Sequence, residues 1–290
     1  MKYITLSDMM LDIRKNFHKA PHDVDFVIGI PRSGMICASV ISEFLNVPLI
    51  DIDSFCRGVK PSGGGRLRLV NRENTKKVLV VDDTVYGGGS LRDAKIQLKP
   101  FNEEYAFIYL VTYLEGIGVD DTDIYLVDIR KYTNNFKDIV LYEWNLFHHY
   151  HSIMDKCIYD LDGVLCLDPP DEREKEDYIQ YIKNATPLFT PTVRIGKILT
   201  YRLEKYREIT MKWLEKHNIK YGSLIMFNGQ SWEERDQSRK RPEQIKADFY
   251  KADADAHLFV ESDDSQARKI FEISHKPVLC IATNTLYGGD

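Results

Sequence analysis

VLVVDDTVYGGGSL, residues 78–91, runs four apolar β-formers into two adjacent carboxylates, Asp82 and Asp83. Three glycines, a hydroxyl at Ser90 and the start of a helical pattern follow. A short apolar run bounded by turn residues predicts a buried strand that carries the acids and the loop to one edge of a sheet. Gly87, Gly88 and Gly89 let backbone N–H groups close on a phosphate with no Cβ in the way, and Ser90 adds a donor at the helix N-terminus. Carboxylates repel phosphate, so Asp82 and Asp83 must hold another part of the same ligand.

Upstream, DFVIGIPRSGMICASVISEFL (25–45) has the form strand, turn, helix. Its IPRSG turn puts the Arg32 guanidinium and free backbone donors at a sheet edge, a setting suited to an anion. Downstream, AFIYLVTYL (106–114) and DIYLVDI (123–129) supply two more strands. Strands alternating with helical segments predict an α/β fold, a mostly parallel sheet flanked by helices. Near the N-terminus, residues 7–17 form an amphipathic pattern, expected to be a helix capped by Ser7 with Met10, Leu11, Ile13 and Phe17 in the core.

Together these motifs resemble the signature of type I phosphoribosyltransferases. The resemblance implies that Asp82 and Asp83 hold the ribose hydroxyls of phosphoribosyl pyrophosphate. Thr84, Gly87, Gly88, Gly89 and Ser90 would wrap its 5-phosphate, and Arg32, Ser33 and Gly34 would meet the pyrophosphate. One position departs from the pattern: the usual threonine before the glycines is Gly87, with Tyr86 ahead of it. Residues 51–74, rich in glycine and basic side chains, are expected to form a mobile loop. In the family such a loop closes over the reacting centre, which makes Arg57, Lys60, Arg66 and Arg68 candidates to neutralise the leaving group. LYEWNLFHHYHS (141–152) is either a hood over the acceptor base, with Trp144 as its platform, or an aromatic plug between domains. Its histidines, His148, His149 and His151, are taken as a surface cluster rather than a metal site.

A second strand-to-acid motif begins at Cys157: CIYDLDGVLCLDPP. A tight turn after Asp160 would bring Asp160 and Asp162 around one cation. This DxDGV string resembles the first motif of the haloacid dehalogenase superfamily of phosphatases. The resemblance implies Asp160 as nucleophile and Asp162 as general acid and then base. It also implies Mg2+ held by Asp160, Asp162 and Glu261, a phosphoryl-binding hydroxyl at Thr200 after a strand ending there, and a charge-neutralising lysine. Lys246 is chosen for that lysine, with Lys240 as its rival. Ser262 stands where a second acid is usual, so Asp263 or Asp264 is expected to share the metal. The acidic segment between Asp162 and Thr200 has room for one capping helix.

The 290 residues suit two domains, placed at 1–152 and 153–290, each with the parallel-sheet architecture above (the second a Rossmann-like sheet with a small cap). Hydrophobic content of 43% and charged content of 29% are globular values. A net charge of -5 argues against a nucleic-acid-coating protein. Five scattered cysteines without a CxxC pair argue against a disulfide framework and fit a reducing cytoplasm. No membrane span and no signal sequence are expected. The expected partners are therefore phosphoribosyl pyrophosphate and a base or nucleotide, and the family resemblance admits a homodimer. The chain is expected to be bifunctional, adding phosphoribose to a nitrogenous base and hydrolysing the resulting 5-phosphate. Two alternatives stand beside this: a phosphatase for an unrelated phosphate or for phosphoribosyl pyrophosphate, and a nucleotide sensor.

Overall fold

A computed structural model describes residues 1–64, 76–132, 139–148, 153–169, 175–229, 231 and 241–289. The expectations placed on Arg66, Arg68, His149, His151 and Lys240 lie outside the described residues. The chain forms two compact units, one of Ile4–Val140 and one of Met1–Tyr3 with Leu141–Asp290. The expected boundary at 152/153 lies further along the chain.

The first unit is built on five parallel strands in the order β3-β2-β4-β5-β6: β2 (Phe26–Gly29), β3 (Leu49–Asp51), β4 (Lys76–Val85), β5 (Tyr105–Leu114) and β6 (Ile124–Asp128); the short strands β1 (Lys2–Ile4) and β7 (Val140–Tyr142) are not part of this sheet. β4 is central, and Val78, Leu79, Val80 and Val81 are all buried, as an apolar run covered on both faces must be. Helices α1 (Leu6–Asn16), α2 (Gly34–Leu45), α3 (Ile52–Cys56) and α4 (Gly89–Leu98) complete the unit's main helices. The chain leaves β2 toward β3 on one side and returns to β4 on the other. The C-terminal ends of β2 and β4 thus form the switch point at which open α/β sheets bind ligands.

Three local expectations are corrected. Helix α1 is capped by Thr5, not Ser7: Thr5 accepts from the Asp8 N–H while the Asp8 carboxylate accepts from the Thr5 N–H, a reciprocal capping box. Met9 and Ile13 are buried and Met10 and Leu11 exposed, so the expected core pair at 10 and 11 is wrong while Ile13 lies in the core as expected. The segment from residue 51 begins as helix rather than loop, because Asp51 accepts from the Ser54 N–H at 2.8 Å and caps α3, which buries Ile52 and Phe55.

The second unit has a six-stranded sheet in the order β10-β9-β8-β11-β12-β13. Its strands are β8 (Cys157–Tyr159), β9 (Ile195–Leu203), β10 (Tyr221–Phe227), β11 (Leu258–Glu261), β12 (Val278–Cys280) and β13 (Thr285–Tyr287). All neighbours are parallel except the edge pair β12–β13. Here the switch point falls between β8 and β11, so Asp160 and Glu261 are placed side by side at its mouth. The helices among the described residues are α5 (Lys175–Asn184), α6 (Arg207–Lys216), α7 (Pro242–Ala252) and α8 (Asp264–Ser274). β9 continues three residues beyond Thr200, contrary to the expected end there; Thr200 is a strand residue and caps no helix. No described helix is long and apolar enough to cross a membrane.

Candidate active sites

In the first unit the sheet brings Asp82 and Asp83 together with the loops after β2 and β4. Both carboxylates are buried, and Asp82 Oδ1 accepts from the Asp83 N–H at 2.9 Å. Gly34 opens α2 directly against this pair: a Cβ there would stand 2.8 Å from Asp82 Oδ1 and from the Val81 carbonyl oxygen. Only a residue without a side chain lets the Arg32–Ser33–Gly34 turn approach so closely. Arg32 itself is exposed.

After β4 the backbone turns at Gly88, whose φ of 74° is the left-handed conformation glycine adopts freely, and α4 begins at Gly89. The first N–H groups of such a helix have no intrahelical acceptor. Added side chains at Gly87 and Gly89 would meet nothing within 4 Å, so the loop presents an open backbone surface with Ser90 exposed at its end. This is a turn of open N–H donors beside two acids, an arrangement suited to a ligand carrying an anionic group and hydroxyls.

Burial pushes Asp82 up to about 8, with the adjacent Asp83 charge adding to the effect. A carboxyl held above its unfolded value stabilises the fold when protonated and costs stability as pH rises from about 4 toward about 8. Asp82→Asn keeps the acceptor for the Asp83 N–H and removes that cost. The variant is therefore expected to melt higher than the wild type at pH 8, with the gap closing near pH 4, and to lose ribose binding. An equal gap at both pH values in thermal melts would contradict this.

In the second unit, Lys246 of α7 is buried and donates to Asp160 Oδ2 at 2.6 Å, Glu261 Oε2 at 2.7 Å and Gln266 Oε1 at 3.1 Å. Asp160 Oδ1 accepts from the Leu161 N–H, and Glu261 Oε1 from the Ser262 N–H. Burial drives Asp160 upward, the Lys246 charge opposes it and Glu261 adds to it. Gly163, at φ 77°, completes the turn; a Cβ there would lie 2.1 Å from Ser262 Oγ. Thr200 is buried in β9.

Asp162 faces a different partner. Arg202, 1% exposed, forks onto it with Nη2 to Oδ1 at 2.5 Å and Nε to Oδ2 at 3.0 Å, while the Tyr181 hydroxyl of α5 donates to Oδ1 at 2.6 Å. Burial raises Asp162, but Arg202, Tyr181 and Cys166 outweigh it and hold the carboxyl below its usual range. Arg202 stood in the sequence only as a neighbour of Thr200, and nothing in the spacing pointed to Tyr181.

The donor set for a magnesium ion can be tested on these contacts. Asp160 and Glu261 supply two neighbouring carboxylates, the donor type Mg2+ takes together with water and phosphate, and the point their oxygens share is filled by the Lys246 ammonium. Both Asp162 oxygens are engaged by Arg202. Asp263 is the N-cap of α8, accepting from the Gln266 N–H at 2.8 Å, and Asp264 accepts from Tyr287 and Thr283. Among the described residues no group of three metal-ligating side chains gathers about a point. Trp144 lies in the second compact unit, its ring 4.9 Å from that of Tyr142, and His148 Nδ1 is 3.0 Å from Thr192 Oγ1.

A model of the phosphoribosyl transferase domain family matches residues 4–146. No curated protein matches the chain. Among solved structures, the chain is similar to a purine phosphoribosyltransferase from Pyrococcus horikoshii Ot3 at 16% identity and a TM-score of 0.32, covering 50% of this chain and 94% of that one. It is also similar to an orotate phosphoribosyltransferase from Aeropyrum pernix at 18% identity and a TM-score of 0.32, covering 43% and 71%. A xanthine-guanine-hypoxanthine phosphoribosyltransferase from Helicobacter pylori aligns at 15% identity and a TM-score of 0.35, over 49% and 92%. It is residues 4–146, with the acid pair and the glycine turn at the switch point of a parallel sheet, that match the phosphoribosyl transferase domain family.

Proposed function

We propose that the chain is a two-site enzyme: the first unit transfers phosphoribose from phosphoribosyl pyrophosphate to a nitrogenous base, and the second hydrolyses the 5-phosphate of the product, leaving a nucleoside. The observation that carries this reading is that each sheet delivers its own acid cluster to its own switch point, one beside a phosphate cradle and one beside a buried lysine.

In the first step a ring nitrogen bonds to the ribose C1 as the bond from C1 to the pyrophosphate oxygen breaks. Pyrophosphate leaves with the electron pair, and the ring nitrogen gives up its proton. Asp82 and Asp83 hold the ribose hydroxyls, and the N–H groups of Gly87 to Ser90 hold the 5-phosphate. The turn of Arg32, Ser33 and Gly34 faces the departing anion.

In the second step we assign a haloacid dehalogenase-type reaction. A carboxylate oxygen of Asp160 attacks phosphorus as the bond to the nucleoside 5-oxygen breaks; that oxygen keeps the electron pair and takes a proton from solvent rather than from Asp162, which Arg202 keeps ionised. Water then attacks the aspartyl phosphate, releasing phosphate and regenerating Asp160. Lys246 neutralises charge on the phosphoryl group, Thr200 donates a hydroxyl to it, and Asp162, kept ionised by Arg202, accepts the proton of the attacking water. Asp160 and Glu261 would hold Mg2+, which would offset the repulsion between carboxylate and phosphate. The test is base-dependent release of pyrophosphate from phosphoribosyl pyrophosphate across a panel of bases. Release with one or a few bases, followed by inorganic phosphate, supports the reading; release of neither product with any base overturns it.

A further inference from the structure

The two ends of the sugar phosphate have partners in the first unit, but the ring of the acceptor needs an apolar surface at the same sheet edge. Of the unit's exposed large apolar side chains, Tyr86 and Ile117, at 61% and 85% exposed, are those on the loops that directly follow β4 and β5. Tyr86 falls between the acid pair and the glycines, immediately before Gly87, where this sequence departs from the family string.

The ring is held from behind. The β5–β6 connection hydrogen-bonds along the start of the cradle, with the N–H groups of Glu115 and Gly116 donating to the Val85 carbonyl at 2.9 and 3.2 Å and that of Gly118 to the Tyr86 carbonyl at 2.8 Å. Gly116 lies flat against the tyrosine: a Cβ there would come within 2.7 Å of Cδ2 and 2.9 Å of Cγ. Asp121, ion-paired with Arg92, fills the space where a Gly88 side chain would stand and braces the other side of the loop. A rigidly backed, solvent-exposed aromatic ring next to ribose and phosphate sites is a stacking platform.

We propose that Tyr86 stacks on a planar heteroaromatic acceptor and is the residue that lets this domain bind ring-bearing ligands more tightly than ribose phosphate alone; the inference rests on the phosphoribosyltransferase reading above. A tyrosine face recognises any aromatic heterocycle by its π surface, so Tyr86 sets affinity for the class, purine or pyrimidine, rather than the choice within it.

The test is calorimetric titration of the full chain carrying Asp160→Asn, which spares nucleotide from hydrolysis, with ribose 5-phosphate and with purine and pyrimidine nucleoside 5-monophosphates. The binding component abolished by Asp82→Asn is the one scored. Tyr86→Ala is expected to weaken nucleotide binding roughly ten-fold or more and to leave ribose 5-phosphate unchanged, while Tyr86→Phe matches the parent. Equal loss for both ligands, or no loss for nucleotide, overturns the platform while leaving the sugar-phosphate site standing. A chain in which Asp82→Asn alters no binding overturns both. Tyr86 is exposed, so its truncation leaves the core intact.

Discussion

Asp160→Asn is expected to cut release of inorganic phosphate at least about a thousand-fold while release of pyrophosphate stays at the wild-type rate, so that nucleotide accumulates in place of nucleoside. The size of the effect follows from the loss of the attacking oxygen, for which an amide is no substitute. The fold survives because Lys246 keeps Glu261 at 2.7 Å and Gln266 at 3.1 Å, and an amide oxygen still accepts from the Leu161 N–H. Phosphate release within ten-fold of the wild type would remove Asp160 as nucleophile. Normal nucleoside formation without nucleotide build-up would separate the two sites and leave the second acting on another phosphate.

The second large effect concerns stability. Lys246→Met takes the Lys246 ammonium away from Asp160 and Glu261, whose side chains are 9% and 1% exposed, and leaves two buried carboxylates facing each other. Removing one partner of such a cluster costs about 3–5 kcal/mol, which for a unit of this size lowers the melting temperature by about 10 °C. The sign with pH is fixed by the groups that remain. Burial and Glu261 both push Asp160 up, and Lys246 is what opposed them. With the lysine gone the folded carboxyl binds its proton still more tightly than the unfolded one. Stability then falls as pH rises, and the loss is greatest near pH 7.5 and smaller near pH 5. Calorimetric melts at the two pH values check this, and Glu261→Gln added to Lys246→Met is expected to restore part of the loss. A variant that melts as high as the wild type at pH 7.5 would show that the cluster is not held by Lys246.

How much of this was legible in the chain depends on how local each signal is. The β4 strand, its acid pair and the glycine turn lie within fourteen consecutive residues, so the apolar run and the turn chemistry were read together and the sheet placed them as expected. Lys246 was likewise legible, because the pattern of α7 turns it inward among apolar neighbours. The setting of Asp162 was not. Its clamp joins Arg202 from β9 and Tyr181 from α5, and no spacing rule links a turn, a strand and a helix face so far apart in the chain. The Arg202 role was further hidden by ending the strand at Thr200, which left the arginine outside the sheet that buries it. The start of α1 carried its own signal, Thr5 with Asp8 three residues on, but Ser7 offered a nearer hydroxyl. The bracing of Tyr86 by Gly116 could not be foreseen, since it depends on how the loop after β5 folds back on β4.

The most direct test of the two-site account is a mass-resolved time course of the full chain with phosphoribosyl pyrophosphate, Mg2+ and each of a panel of bases. The account predicts, for at least one base, a nucleoside 5-monophosphate that rises and then falls as its nucleoside and inorganic phosphate appear. A nucleotide that persists unhydrolysed, or phosphoribosyl pyrophosphate that is left intact with every base, would contradict it.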